Sequence, residues 1–334
     1  MPFHLIFTNA PLLSWHAFMR AADCLVAWRQ MQVADMTHRP STTEQIIIRG
    51  VRHNIRHWRV PGGRDGHAGQ DAPVVFFLHG WMDASPTFQF VVDALLSDWH
   101  VIAPDWRGYG DSEWLLRPYW FSDYYADLHE ILAYYSPQRP ARLVGHSMGA
   151  NIAAIYAGAC PGRVAQLVML DFLGLKPAVN DAPVLIGKWL RHLARTPAGS
   201  VYADSEAFAA RFMQMNPRLS RARAQFLARH LSRRRDDGRI EMACDPWHRV
   251  PSPLPYHAED NLASWRRIAA PVLLVIADHG YAMLRFGSDP AEFKRRVDCF
   301  HDVRLVRVAE AGHNLQHDQP ERVAQAIEAF LTRD

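Results

Sequence analysis

Gly145-His146-Ser147-Met148-Gly149 is the stretch of this sequence that decides its fold. An apolar run at 141–144 comes before it, and a small-residue segment that reads as a helix, 150–157, comes after it. A serine between two glycines at a strand-to-helix junction is typical of a nucleophile elbow, a sharp turn that exposes the serine hydroxyl. The flanking glycines suit a strained turn without room for side chains. Ser147 is therefore the candidate nucleophile, and a plain Gly-Ser turn is the alternative.

The chain on either side of this motif alternates between strand-like and helix-like segments. Predicted strands lie at 45–49, 55–60, 74–78, 101–104, 143–144, 167–171, 272–276 and 303–308. Predicted helices lie at about 87–97, 121–135, 150–157 and 322–331. Continuous apolar runs such as Val74–Leu78 are typical of strands that are covered on both faces. The alternation predicts an α/β fold, a doubly wound and mainly parallel sheet with helices on both faces.

The strand signal disappears between Asp171 and Pro271. We expect residues 172–264 to form a helical lid that covers a pocket and excludes water. The core is then made of residues 41–171 and 265–334. Residues 1–40 form an N-terminal extension, in which 15–31 has the pattern of an amphipathic helix. Met36 is an alternative start of the chain.

Composition and charge give no support for nucleic-acid binding or for stable insertion into a membrane. The net charge of +3 over 334 residues gives no indication of nucleic-acid binding, so we expect a small-molecule substrate. Basic residues concentrate at 211–239 and are interpreted as a solvated helical face, with attraction for acidic substrates or an anionic surface as the alternative. The apolar N-terminal stretch is too interrupted for a signal peptide or a membrane span, and we expect no stable membrane insertion. The sequence leaves the oligomeric state open.

Cofactor and metal motifs are not evident. The four cysteines are far apart, which favours reduced thiols and a cytoplasmic location. No H-E-x-x-H motif occurs, and no G-x-G-x-x-G follows a strand, so we expect neither a metal nor a dinucleotide cofactor.

A serine hydroxyl needs a base before it can attack a carbonyl carbon. The best candidate is His313, which follows the last predicted strand at the carboxyl edge of the sheet, where such sheets bind ligands. The backbone N–H groups of Trp81 and Met148 are the expected oxyanion-hole donors. Residues expected to line the substrate site are His79, Gly80, Trp106 and His146.

Four motifs occur in a recognisable order: His79-Gly80, Asp105–Ser112, the Gly145–Gly149 elbow and Gly312-His313. With them the chain resembles the α/β-hydrolase superfamily over about residues 43–334. The resemblance implies a Ser-His-Asp triad, and we expect carboxylic ester hydrolysis through an acyl-enzyme, on an apolar acyl or aromatic ester. Because the fold hosts many reactions, hydrolysis of thioesters, lactones, amides or carbon–carbon bonds is an alternative, as is ligand binding without turnover.

The acid of the triad is the point at which this sequence departs from the common family pattern. The resemblance puts the acid in the loop after the strand at 272–276, where Gly280 stands, and Asp278 lies two residues early. A similarity to small bacterial esterases implies instead an aspartate that ends the strand after the elbow helix, which is Asp171. Asp171 is favoured over Asp278, and a purely structural Asp171 is a further alternative.

Overall fold

The computed structural model describes residues 38–59, 72–177 and 181–333. Residues Arg39–Asp334 form one compact unit. The predicted amphipathic helix at 15–31, the alternative start at Met36 and a turn-rich loop at 61–66 lie outside the described residues.

The centre of the molecule is an eight-stranded sheet with the order β1-β2-β4-β3-β5-β6-β10-β11. Its strands are β1 Thr42–Ile48, β2 Val51–Trp58, β3 Val74–Leu78, β4 His100–Pro104, β5 Ala141–His146, β6 Val164–Leu170, β10 Val272–His279 and β11 Val303–Gly312. Strand β2 pairs antiparallel with β1 and β4, and all other neighbours pair in parallel. The prediction of a mainly parallel α/β sheet is confirmed.

Helices cover both faces of this sheet, and others lie in the inserted segment. The helices of the described residues are α1 Gln89–Ala94, α2 Phe121–Tyr135, α3 Met148–Ala159, α4 Ala182–Leu193, α5 Ser205–Met215, α6 Arg221–His230, α7 Ala258–Trp265, α8 Tyr281–Phe286, α9 Pro290–Val297, α10 Leu315–Asp318 and α11 Pro320–Leu331. Short 3₁₀ segments lie at Ser85–Phe88, Pro161–Arg163 and Pro246–Arg249. Within the described ranges, none of the helices combines the length and the apolar character that a membrane span needs.

The core divides into two apolar clusters because successive side chains of a strand point to opposite faces. In β3, Phe76 and Leu78 belong to a cluster that α2, α3 and α7 cover. Val75 and Phe77 belong to the other cluster, which α1 and α11 cover. The sheet is thus buried on both sides, and functional side chains can reach solvent chiefly at the ends of its strands.

The segment between β6 and β10 contains the helices α4 to α7. It also contains a small antiparallel sheet that is separate from the central one. The strands of this sheet are β7 Val201–Tyr202, β8 Ser232–Arg234 and β9 Ile240–Met242, in the order β7-β9-β8. The sequence showed no strand signal in this segment and did not predict these strands, because strands of two or three residues are too short to show an alternating pattern. Arg233 therefore lies in a strand, not on a helical face, and donates to Glu241 at 2.7 Å.

Candidate active site

The elbow at Ser147 joins β5 to α3 with a backbone that side chains rarely adopt. Ser147 has φ 50° and ψ −111°, outside the regions that suit most residues. A Cβ atom at position 145 would lie 2.5 Å from the amide nitrogen of Ala150, and one at 149 would lie 2.0 Å from the carbonyl oxygen of Leu78. Both positions therefore require glycine. The tight packing holds the strained serine at the carboxyl end of β5.

Three side chains from the ends of three parallel strands form one hydrogen-bonded line. The Oγ atom of Ser147 lies 2.9 Å from Nε2 of His313, although 166 positions separate them along the chain. Nδ1 of the same histidine lies 2.7 Å from Oδ2 of Asp171. A neutral imidazole that donates from Nδ1 to the carboxylate leaves Nε2 as an acceptor for the serine hydroxyl. The line can therefore carry a proton from the serine oxygen to the imidazole.

The carboxylate of Asp171 is fully buried and held by backbone donors. The N–H of Tyr281 donates to Oδ2 at 2.5 Å, and the N–H of Ala277 donates to Oδ1 at 3.2 Å. A buried carboxylate needs such partners, since desolvation without hydrogen bonds is costly. The same donors fix the orientation of the carboxylate towards His313.

The loop after β10 leaves space for this carboxylate at Gly280. A Cβ atom at position 280 would lie 2.2 Å from Oδ1 of Asp171. Asp278, the other candidate acid, is exposed, at an irregularity in the pairing of β10 with β11. Within the described part of the chain, no hydrogen bond or ion pair joins Asp278 to His313. The structure brings Asp171 to the histidine and leaves Asp278 in solvent.

The two backbone segments expected to supply oxyanion donors meet at the nucleophile. Met148 is the first residue of α3, so its N–H has no acceptor within the helix and belongs to the positive end of the helix dipole. At position 80 a Cβ atom would lie 3.4 Å from Cβ of Ser147, which brings the loop after β3 against the elbow. Trp81, the next residue, exposes 55% of its surface.

His79 and Trp106 lie behind the site rather than on its surface. Both are fully buried. Nε2 of His79 accepts from the backbone N–H of Trp106 at 3.0 Å, Nδ1 donates to the carbonyl of Gly80 at 2.8 Å, and the indole N–H of Trp106 donates to the carbonyl of His79 at 3.1 Å. Burial lowers the pKa of His79 to about 4, so the ring is neutral. These bonds join two loops, and contact of either ring with a substrate would require the site to rearrange.

His146 supports the loop that carries His313. It is 2% exposed, and its Nε2 donates to the backbone carbonyl of His313 at 2.8 Å. Nδ1 lies 3.4 Å from the amide nitrogen of Gln316. Burial, together with the imidazole of His313, lowers the pKa of His146 well below its usual value. A neutral ring with its proton on Nε2 fits both contacts, so the structure shows His146 in a supporting position.

Sequence reasoning missed a link between the inserted segment and the histidine loop. Asp318 accepts from the N–H of Gly312 at 2.8 Å through Oδ2, and from the side-chain amide of Asn216 at 2.6 Å through Oδ1. Arg223 of α6 donates to the carbonyl of His317 at 2.8 Å. The only available signal in the sequence was Asp318 itself, five residues after His313. Its position does not indicate that Asn216, about a hundred residues earlier, is its partner.

Metal-ligating side chains do not converge in the part of the chain that the structure describes. No group of three or more His, Cys, Asp or Glu residues there has the arrangement of a metal site. Cys160, Cys244 and Cys299 are free thiols in the structure, and Cys24 lies outside the described residues.

Comparisons with known proteins agree with this architecture. The family model described as alpha/beta hydrolase fold matches residues 73–320. A serine hydrolase-like protein of Danio rerio is 28% identical over 270 residues, which cover 77% of this chain and 81% of the relative. Among solved structures, the thioesterase domain from the curacin biosynthetic pathway has a TM-score of 0.74 at 23% identity, covering 88% of this chain and all of that domain. A hypothetical protein from Pseudomonas aeruginosa PAO1 has a TM-score of 0.73 at 27% identity, covering 87% and 99% of the two chains.

Proposed function

This chain belongs to the α/β-hydrolase family, and on that premise we propose that it is a serine hydrolase of carboxylic esters with Ser147 as nucleophile, His313 as base and Asp171 as acid. One observation carries the proposal: the continuous hydrogen-bonded line from the serine hydroxyl through the imidazole to a buried carboxylate. Likeness to a serine hydrolase-like protein supports a serine-dependent hydrolase at the coarser level.

In the first half of the reaction, Oγ of Ser147 attacks the ester carbonyl carbon while Nε2 of His313 takes the hydroxyl proton. The carboxylate of Asp171 stabilises the imidazolium that forms. The oxyanion accepts hydrogen bonds from the N–H groups of Trp81 and Met148, and loss of one such donor costs about 3 kcal/mol of transition-state stabilisation. The tetrahedral intermediate collapses as the imidazolium gives its proton to the departing alkoxide, leaving an acyl-serine and a free alcohol.

The second half reverses the roles with water as nucleophile. His313 takes a proton from a water molecule, whose oxygen attacks the acyl carbon. Collapse of the second tetrahedral intermediate returns the proton to Oγ of Ser147 and releases the carboxylic acid. One ester and one water thus become one acid and one alcohol, and the enzyme is regenerated without a cofactor.

The crowding at Gly280 supports Asp171 as the acid. A carboxylate on residue 280 would need the volume that the Asp171 carboxylate fills. A glycine at the position where the family resemblance puts the acid is therefore compatible with a complete triad, because the acid is supplied from the end of β6.

An apolar acyl or aromatic ester is the proposed substrate class. The ring of Tyr281 lies 5.5 Å from the ring of His313, and the indole of Trp81 is exposed next to the elbow.

We further propose that residues 172–264 act as a lid. The bonds from Asn216 and Arg223 to the histidine loop support this role, since they link the inserted segment to the base. Esters are preferred to amides and carbon–carbon bonds because an alkoxide is a better leaving group than an amide anion or a carbanion, and thioesters and lactones are the alternatives on the same triad.

A p-nitrophenyl ester series with acyl chains of increasing length tests the proposal. The wild-type protein should release a burst of nitrophenol, and labelling by a fluorophosphonate should add one adduct that peptide mass analysis locates at Ser147. Ser147→Ala should lose both, whereas Ser252→Ala, at an exposed serine of a loop, should retain both. Turnover and labelling that persist in Ser147→Ala would exclude the proposed nucleophile. Tight ligand binding without a burst would favour the ligand-binding alternative.

A further inference from the structure

Helix α4 is amphipathic, yet no residue of it is buried. Leu185, Trp189 and Leu193 follow one another at helical spacing and are half-buried. Ile186 and Leu190 continue the apolar face and expose 43% and 54% of their surfaces. An amphipathic helix of a globular protein normally turns its apolar face to the core. Part of the apolar face of α4 is instead open to solvent.

The exposed face continues onto the loop before α2 across a cavity. The cavity has a volume of about 340 Å³ and is lined by Leu115, Arg117, Pro118, Trp120, Asp123, Trp189 and Leu193. Two of its walls are the rings of Trp120 and Trp189, whose centroids are 6.2 Å apart. Large apolar side chains are exposed along the loop: Leu116 at 66%, Trp120 at 40% and Phe121 at 42%. These three residues with Ile186 and Leu190 make up what we term the α4 surface.

Basic side chains lie next to the α4 surface. Arg117 at the cavity is exposed, and so are Arg191, which follows Leu190 on α4, and Arg195 just beyond the helix. Asp123, the acidic residue of the cavity wall, is paired with Arg49 at 3.0 Å. Exposed leucine and tryptophan side chains beside lysine and arginine are the composition of helices that lie at the surface of anionic membranes.

We propose that the α4 surface docks this protein onto bilayers that contain anionic lipid. The apolar side chains enter the boundary between headgroups and acyl chains, and the basic side chains face the lipid phosphates. The cavity, which Trp120 and Trp189 help to line, accepts an apolar chain from the bilayer. This is attachment to one leaflet and requires no membrane-spanning helix. It goes beyond the proposed hydrolysis, since no catalytic side chain takes part.

Sedimentation of the full chain with vesicles tests the docking. Phosphatidylcholine vesicles with 30% phosphatidylglycerol should bind the protein at 50 mM NaCl and release it at 500 mM, because salt screens exposed charges. Ile186→Asn/Leu190→Asn should lose binding. The matched control Ile47→Asn/Leu96→Asn removes an exposed isoleucine and an exposed leucine elsewhere and should bind normally.

A second pair of variants tests the charges. Arg117→Gln/Arg191→Gln should weaken binding about 25-fold at low salt, about fivefold for each basic residue. Arg304→Gln/Arg307→Gln, at exposed positions of β11, should leave binding unchanged. Equal binding of both pairs, equal binding to vesicles without phosphatidylglycerol, or binding of dodecanoate without any binding of vesicles would overturn the proposal. Ser147→Ala should bind vesicles normally although it loses hydrolysis of soluble esters, so failure of docking is separable from failure of the proposed catalysis.

Discussion

The ends of β6 and β10 each carry an aspartate at the carboxyl edge of the sheet, and the two differ in almost every physical respect. Asp171 is buried, has a positive φ of 47°, and accepts from the ring of His313 and from two backbone N–H groups. Asp278 is exposed and lies at an irregularity of its strand. The difference supports the proposal of Asp171 as the acid, because, among the described residues, only this one of the two carboxylates has backbone donors and a contact with the imidazole of His313.

The largest expected difference between variants of the two aspartates is in kcat. Asp171→Asn should lower kcat about 10⁴-fold, because the imidazole loses the carboxylate that fixes its tautomer and stabilises its charge. Asp278→Asn should change kcat less than about twofold, in line with small effects at exposed sites. Steady-state hydrolysis of a p-nitrophenyl ester measures both. A large loss in the Asp278 variant, with a small one in the Asp171 variant, would reverse the assignment.

A smaller effect on turnover should follow from filling the space at Gly280. Gly280→Ala puts a Cβ atom 2.2 Å from the carboxylate of Asp171, so the acid must move, and a misplacement of about 1 Å costs about 10²-fold in rate. Gly162→Ala is the control, since a Cβ there meets no atom within 4 Å. The double change Asp171→Gly/Gly280→Asp should exceed Asp171→Gly alone in kcat. An unaltered rate in Gly280→Ala would show that the acid does not depend on this space.

The free energy of unfolding should also differ between variants of the two aspartates, and this effect should be smaller than the effect on kcat. Asp171→Asn should lower the free energy of unfolding by about 2 kcal/mol, because the buried N–H groups of Ala277 and Tyr281 lose a charged acceptor. Asp278→Asn should stay within about 0.5 kcal/mol of the wild type. Urea unfolding followed by circular dichroism gives both values. Two equal values would mean that burial of the carboxylate contributes nothing to the fold.

The smallest effect concerns His146, at the end of β5. Burial lowers the pKa of His146, so its contribution to stability is present above the unfolded pKa of about 6.5 and is lost as the pH falls below it. Between pH 7 and 5.5 the wild type should lose about 1 kcal/mol more than His146→Asn. Leu96→Asn, at an exposed side chain that does not titrate, should retain the wild-type pH dependence. Urea unfolding at both pH values measures the difference, and an unchanged slope in His146→Asn would contradict it.

The sequence was sufficient for those features that topology controls. In a parallel sheet the carboxyl ends of strands share one edge, so Ser147 and His313 could be placed at the same edge from the sequence. Asp171 was favoured over Asp278 only on a similarity to small bacterial esterases. Long apolar runs such as Val74–Leu78 identified buried strands with the correct limits. The catalytic roles of the three residues stay predictions until activity is measured.

The sequence was insufficient to predict very short strands and the orientation of side chains whose partners lie far away along the chain. The strands β7 to β9 have two or three residues and carry no readable alternation. His79 and Trp106 stand in loops at the functional edge, yet their rings turn inward and bond to backbone groups. The direction of a loop side chain depends on contacts between distant parts of the chain, and these contacts cannot be identified from a single sequence.

The close approach of position 280 to the Asp171 carboxylate has a consequence for protein engineering. An aspartate introduced at position 280 alone would place two carboxylates in one volume, and removal of the Asp171 carboxylate alone would leave that volume empty. Moving the carboxylate from one strand end to the other therefore requires both positions to change at once. A library built on this chain should vary them as a pair.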